Sequence, residues 1–407
     1  MKALRFELHL ARLALARVLG TFAPSGYLSS LGPLRLVDVP DASVLGDRWV
    51  VVETRACGIC GSDVKQVFQD AAVDNPLTAV ISFPHVMGHE HVGVVVDVGK
   101  AVTRVRPGDR VACSPWLSCA VRGLPECDAC RRGELPLCAR FAEGPFAPGM
   151  HAGNCRDVSG GFAPYVPVHE TACFPVPEAV PFSTAVLADP FAVALHAVLK
   201  APPEPGETAL VYGCGGLGVL LVHALTRLFP RTRVFAVDPR AHARASAERM
   251  GARATFGARG ATLVEAVAEA VGAPVRRPRF ALPWLHGGVH RVYDTVGAAS
   301  TLETAVRVLG PGGTLVLVGV SAPARFEWTP LYFKELRVIG SNAYGVETLG
   351  GRRAHAIEHV FSLLERGPAE VTEIVTHRYG LGDYKRAFLT ARSKGSAPSV
   401  KVVFEFA

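Results

Sequence analysis

The hexad Gly213-Cys214-Gly215-Gly216-Leu217-Gly218 restricts the fold of this chain more than any other feature. Alone, G-x-G-x-x-G is a weak signal. Here it follows the apolar run TALVYG (208–213), opens an apolar helix over 216–229, and is followed by a second apolar run, RVFAVD (233–238). That strand–turn–helix–strand setting gives the motif its meaning. The first glycine permits a tight turn, the second lets the backbone approach a pyrophosphate, and the third lets helix and strand pack closely. The phosphates would lie on the helix N-terminus, where free N–H groups and the helix dipole favour anions. Gly213, Gly215, Gly216 and Gly218 are therefore candidate cofactor contacts. Asp238 ends the second strand and can accept hydrogen bonds from ribose hydroxyls. It would repel a 2′-phosphate, which favours NAD over NADP; Arg240 argues the other way, because it could hold that phosphate. The bland alternative is a glycine turn that binds nothing.

A chain of 407 residues is long for one core, so two domains are expected. Residues 32–190 read as short Val-rich strands between Gly and Pro, which suggests a β-rich, barrel-like domain. After about residue 185 apolar strands alternate with helices, the pattern of a parallel sheet covered on both faces. TLETAVRVL (301–309) predicts a helix stopped by Gly310-Pro311-Gly312-Gly313, and TLVLVGV (314–320) the next strand. The tail predicts a helix around 353–366 and a last strand, SVKVVFEF (399–406), returning to the first domain. Residues 257–290 carry no clear pattern. The net charge of +7 comes from scattered arginines, so a solvated basic surface is expected rather than nucleic-acid binding. Residues 1–22 read as a strand followed by an amphipathic helix. A transit peptide and a membrane-surface helix are the lesser alternatives. With no signal peptide read there, a cytoplasmic compartment is expected, and no membrane partner.

In such a compartment clustered cysteines bind metal more often than they pair. Cys57 and Cys60 precede Gly88-His89-Glu90-His91, and Cys and His are zinc ligands. Cys119, Cys127, Cys130 and Cys138 form C-x7-C-x2-C-x7-C in a Gly/Pro-containing loop. Four thiolates around one closed tetrahedral zinc would organise it; disulfides are the alternative.

Together with GDRV (108–111), GGFAPYV (160–166) and LGDYKRAF (381–388), these segments resemble the zinc-dependent branch of the medium-chain dehydrogenase/reductase family, of alcohol, polyol and threonine dehydrogenase type. The resemblance implies an α/β chain with a GroES-like β-rich catalytic domain over 1–188 and 343–407. It implies a Rossmann domain with a doubly wound parallel sheet over 189–342. By resemblance Cys60 and His89 are catalytic zinc ligands, and Glu90 is the neighbouring acid. Asp189 is the acidic third ligand, with helix N-cap before Pro190 as its alternative reading. Cys57 becomes a buried thiol. Ser62 takes the substrate's proton, and Lys65 stands where many members continue the relay with His. Gly319 is a further cofactor contact. The four-cysteine lobe keeps the family spacing in its last three members and stretches the first gap. The implied reaction moves hydride between the carbinol carbon of a small-molecule alcohol (polyol, cyclitol or amino alcohol) and NAD. Zinc is expected once at the catalytic site and once at the structural one, in a homodimer or homotetramer. Residues near 68–85 and 324–345 are implied to line the pocket. The competing readings are a zinc-independent NADPH reductase and a non-catalytic zinc- and nucleotide-binding redox sensor.

Overall fold

The computed structural model describes residues 1–70, 75–321, 325–365, 367, 371–392 and 398–407. Two compact units result: Met1–Ala192 with Tyr344–Ala407, and Val193–Ala343.

The first unit is built on a bent, seven-stranded sheet. Its order is Val375–Tyr379, Lys401–Glu405, Trp49–Gly58, Glu90–Val98, Arg110–Cys113 and Cys173–Pro175, with Tyr165–His169 also paired to Trp49–Gly58. The strand Trp49–Gly58 is long enough to hold two partners on one edge: residues 49–53 pair with 165–169, and 56–58 pair with 403–405. Its pairing to Glu90–Val98 shifts register at Val51/Val52 and at Thr54/Ala56. Such shifts increase local twist and curl a sheet. Val50, Val52, Val95, Val111, Val166 and Val168 fill the inside of the curl. A smaller antiparallel sheet joins Leu34–Asp38, Lys2–Phe6 and His85–Val86. The last strand does return to this unit, as expected.

Glu170 pins this curled sheet. Its carboxylate is fully buried and accepts from the Thr103 and Arg104 backbone N–H groups at 2.8 and 3.0 Å and from Arg48 Nε at 2.6 Å. Burial pushes its pKa up, but these donors outweigh burial and bring it from 4.5 down to about 2. The folded pKa lies below the unfolded one, so the stabilisation is complete above about pH 4.5 and is lost as pH falls toward 2. In chemical denaturation, Glu170→Gln is expected to cost about 3 kcal/mol at neutral pH relative to wild type. That gap should close as pH falls from 5 to 2. A gap independent of pH would refute the assignment.

The second unit is a six-stranded, wholly parallel sheet in the order Ala254–Phe256, Arg233–Val237, Thr208–Tyr212, Val289–Asp294, Leu309–Leu317 and Arg337–Gly340. In chain order this is 3-2-1-4-5-6, the doubly wound arrangement whose switch point lies between the first and fourth strands. Thr208–Tyr212 is buried at every position, as its unbroken apolar run requires. Leu263, Val264, Val267, Val306 and Leu309 close one side of the core.

Two expectations need correction. Gly310-Pro311-Gly312-Gly313 does not separate helix from strand: the helix Ala299–Val308 ends before it, and the strand Leu309–Leu317 runs through it with a register shift opposite Val289/Arg291. The unpatterned stretch 257–290 holds a helix, Gly260–Val271, and a two-residue hairpin, Val275–Arg276 with Trp284–Leu285. The strands Leu309–Leu317 and Lys401–Glu405 are each flanked on both sides within the chain, so neither offers a free edge to a second copy.

Candidate active site

The strands Trp49–Gly58 and Glu90–Val98 are antiparallel, with Gly58 opposite Glu90 and Cys57 opposite His91. The chain leaving the first strand therefore meets the chain entering the second. Cys60 then caps the helix Gly61–Val67, and its backbone N–H donates to Asp63 Oδ2 at 2.9 Å. The ligand atoms of Cys60, His89 and Glu90 lie within 4.8 Å of one another. A thiolate, an imidazole and a carboxylate so placed suit zinc with an open fourth position. His89 is buried, and its Nδ1 has no hydrogen-bond partner among the described residues, although Asp63 Oδ1 is 3.7 Å away. A carboxylate behind a ligating imidazole orients the ring and raises its basicity. Burial lowers the His89 pKa, but the charges of Asp63 and Cys60 outweigh it and hold the ring well above its ordinary value. A metal held by Cys60, His89 and Glu90 would take the place of that proton.

The third expected ligand, Asp189, lies outside this group. It sits in the first turn of the helix Ala188–Lys200, which begins one residue earlier, so Asp189 is not its N-cap. Its Oδ2 accepts from Tyr344 Oη at 2.5 Å, and burial pushes its pKa up to about 7. Glu90, expected as a neighbour, is inside the group. Lys401 from the C-terminal strand pairs with Glu90 and also donates to the Ile59 carbonyl at 3.2 Å. Burial lowers the pKa of this lysine, but Glu90 and Cys60 more than restore it. Ser62 is exposed in the first helical turn, and Lys65 is half-buried one turn on. Cys57 is a fully buried thiol whose pKa is raised chiefly by burial.

Asp63, Lys401 and Tyr344 were given no role from sequence, and neither was His151. The His151 ring centroid is 4.7 Å from that of His89, and its Nδ1 lies 2.8 Å from the Ala152 carbonyl. Burial and the neighbouring His89 push its pKa down to about 3. None of these carries a local signature; only the CGICGSD segment contained one of them.

The four-cysteine lobe is equally compact. The Sγ atoms of Cys119, Cys127, Cys130 and Cys138 lie within 4.8 Å of one another, with Cys119–Cys138 at 3.6 Å and Cys127–Cys138 at 4.0 Å. Four thiolates at ~2.3 Å from a zinc ion form a tetrahedron with edges of about 3.8 Å. These separations fit that figure and are far longer than a disulfide bond. Backbone N–H groups of Ala139 and Cys130 bring the Cys127 pKa down to about 6. The lengthened gap between Cys119 and Cys127 is closed around Arg122. This buried guanidinium donates to the carbonyls of Leu117, Glu143, Phe146, Ala147 and Gly149 at 2.7–3.2 Å.

In the second unit the glycine hexad joins the strand Thr208–Tyr212 to the helix Gly216–Leu228. Gly213 has φ +87°, which side chains resist, and a Cβ on Gly218 would lie 1.7 Å from the Gly213 carbonyl. A Cβ on Gly215 would meet open space, where a pyrophosphate can approach. Gly216 opens the helix, and Gly319 packs on the Thr295–Val296 backbone. Asp238 Oδ2 accepts from the Cys214 N–H at 2.9 Å, and Arg240 grips both oxygens at 2.8 Å. Arg244 Nη1 donates to the Asp238 carbonyl at 2.9 Å.

Two family models match the chain: the alcohol dehydrogenase GroES-like domain over residues 46–178 and the zinc-binding dehydrogenase domain over 216–360. The chain belongs to the zinc-binding alcohol dehydrogenase family. Like its relatives, this zinc-binding dehydrogenase pairs a GroES-like fold with a Rossmann-like parallel sheet, and it acts on the CH–OH group of an alcohol. It is 30% identical to D-xylulose reductase A of Aspergillus oryzae over 362 residues, 89% of this chain and 91% of the relative. Galactitol-1-phosphate dehydrogenase of Escherichia coli shares its fold with a TM-score of 0.74 and 24% identity, covering all of both chains. Acetophenone reductase of Geotrichum candidum, solved with NAD, shares it with a TM-score of 0.71 and 22% identity over 92% of this chain and 94% of the relative. Among the described residues of this family member, no helix is long and apolar enough to cross a membrane.

Proposed function

We propose that this dehydrogenase oxidises a hydroxylated metabolite (a polyol, cyclitol or amino alcohol) at one carbinol carbon, with NAD as hydride acceptor and one catalytic and one structural zinc per chain. The observation that carries the reading is the gathering of Cys60, His89 and Glu90 around one point. Zinc held there supplies Lewis acidity to a substrate hydroxyl, and NAD supplies the hydride acceptor. The chain's residues do the rest. Asp63 orients His89, and Lys401 fixes Glu90. Asp189 and Tyr344 form a buried acid pair beside the group. Ser62 takes the substrate's proton from its exposed position and hands it to water. Lys65, a cation where a relay base would stand, does not continue that path.

A polyhydroxylated substrate is supported by the names of the ketose reductase and hexitol-phosphate dehydrogenase relatives. The expected lining segments are described except for residues 71–74 and 324. NAD is favoured by Asp238, and Arg240 keeps NADP within reach. Assembly as a homodimer or homotetramer is supported by the position of Arg337–Gly340, which has a strand partner on one side alone among the described residues.

The test is cofactor reduction by purified protein against polyols, cyclitols, amino alcohols and simple alcohols, with either cofactor and with or without chelator, alongside metal analysis. The expected result is chelator-sensitive reduction of NAD by a polyol class, with two zincs per chain. Arg240→Ala is expected to lower kcat/KM with NADP about tenfold more than with NAD. One zinc and no turnover would indicate the sensor reading. Chelator-resistant NADPH oxidation would indicate the zinc-independent reductase.

A further inference from the structure

We propose that the outward face of the helix Leu10–Phe22 docks on the surface of an anionic lipid bilayer. The inner face is firmly seated. Ala16 is fully buried, Leu13 packs on a core cluster, and Gln69 Nε2 donates to the Leu13 carbonyl at 3.0 Å. Gly20 sits so close to Tyr27 that a Cβ would meet its ring at 2.1 Å. The outer face is then fixed in orientation, and it too is apolar apart from Thr21, whose hydroxyl donates to the Val18 carbonyl at 2.7 Å. Leu10, Ala14, Val18 and Phe22 form one i, i+4 row, with Ala11 and Leu15 beside it. Leu10 is 81% exposed and Phe22 84%. Leu8 and Leu31 are further exposed leucines in the adjoining segments. A soluble surface does not ordinarily leave so long an apolar row in water.

Charge selects the occupant. The helix has no acidic residue, while Arg17 is exposed next to Val18 and Arg12 is half-buried, its Nη1 donating to the Leu31 carbonyl at 3.5 Å. The neighbouring acid, Glu7, is already held by Arg5 and Arg35. Packing this row against its own copy would bring arginines together without a counter-charge. Lipid phosphates supply that charge, and a 13-residue helix lying flat buries its leucines at the headgroup boundary. Arginine stems reach along the apolar side while their heads meet the phosphates.

Flotation of the full chain with vesicles tests this. Vesicles of phosphatidylcholine plus phosphatidylglycerol are expected to carry the protein at least ~10-fold better than phosphatidylcholine alone, with the difference shrinking as salt rises. Leu10→Glu/Phe22→Glu is expected to reduce binding ~100-fold and Arg17→Glu about tenfold, with unchanged melting temperature and zinc content. No binding by wild type overturns the proposal. So does binding that survives Leu10→Glu/Phe22→Glu, which would come from overall charge. A solution mass that halves in that variant, with no vesicle binding by wild type, would assign the face to a second copy of the chain.

Discussion

Cys60→Ser is expected to purify as a folded protein that retains the four-cysteine metal, loses the other, and turns over at least ~10³-fold more slowly, a barrier increase of about 4 kcal/mol. Cys60 is only partly buried and caps a short helix, so the sheet around it does not depend on its sulfur. What changes is the donor set: a hydroxyl is a poor replacement for a thiolate beside His89 and Glu90. Metal analysis should fall from two zincs to one. Fluorescence titration with NAD should be little affected, because the glycine hexad belongs to the other unit. Undiminished turnover in Cys60→Ser would remove the assignment.

The second large effect is structural. Arg122→Met is expected to destabilise the chain by about 4 kcal/mol or more and to speed zinc release from the four-cysteine lobe to a chelator. All of the donors of this buried side chain are spent on five carbonyls. Methionine fills part of the volume and satisfies none of them, and each orphaned buried acceptor costs roughly 1–3 kcal/mol, not additively. Arg122→Lys should rescue little, since an ammonium has three donors and no fork. Thermal unfolding together with a chelator-competition time course checks this. Wild-type melting and wild-type zinc release in Arg122→Met would show that the lobe is held by its metal alone.

The parts of the molecule legible in sequence were those whose cause is local. Thr208–Tyr212 is buried on both faces and reads as one apolar run. The glycine hexad needs its residues because Gly213 and Gly218 meet each other within six positions. The four cysteines lie within one loop, so their spacing pointed to a shared metal with disulfides as the alternative, and the structure brings their sulfurs within 4.8 Å of one another. The residues that escaped notice act across long separations. Tyr344 reaches Asp189 over 155 positions, and Lys401 reaches Glu90 over 311. No periodicity records such contacts. Gly310-Pro311-Gly312-Gly313 misled for a different reason. Its residues are breakers in isolation, but a register shift lets the parallel strand pass through them. The helix Leu10–Phe22 was read as amphipathic; its buried side carries Leu13 and Ala16, and its exposed side carries Leu10, Val18 and Phe22 as well.

The pairing of Lys401 with Glu90 and with the Ile59 carbonyl also sets a timetable for biosynthesis. Ile59 and Lys401 are 342 positions apart. At ribosomal rates of ~5–20 residues per second, Cys60, His89 and Glu90 emerge roughly 16–68 s before the strand that completes their surroundings. The whole parallel-sheet unit, 193–343, is translated within that interval and can close first. During that time Glu90 lacks its lysine, and the Trp49–Gly58 edge lacks its Lys401–Glu405 partner. Until residues 401–405 emerge, the nascent chain therefore presents an unpaired strand edge beside Cys60, His89 and Glu90.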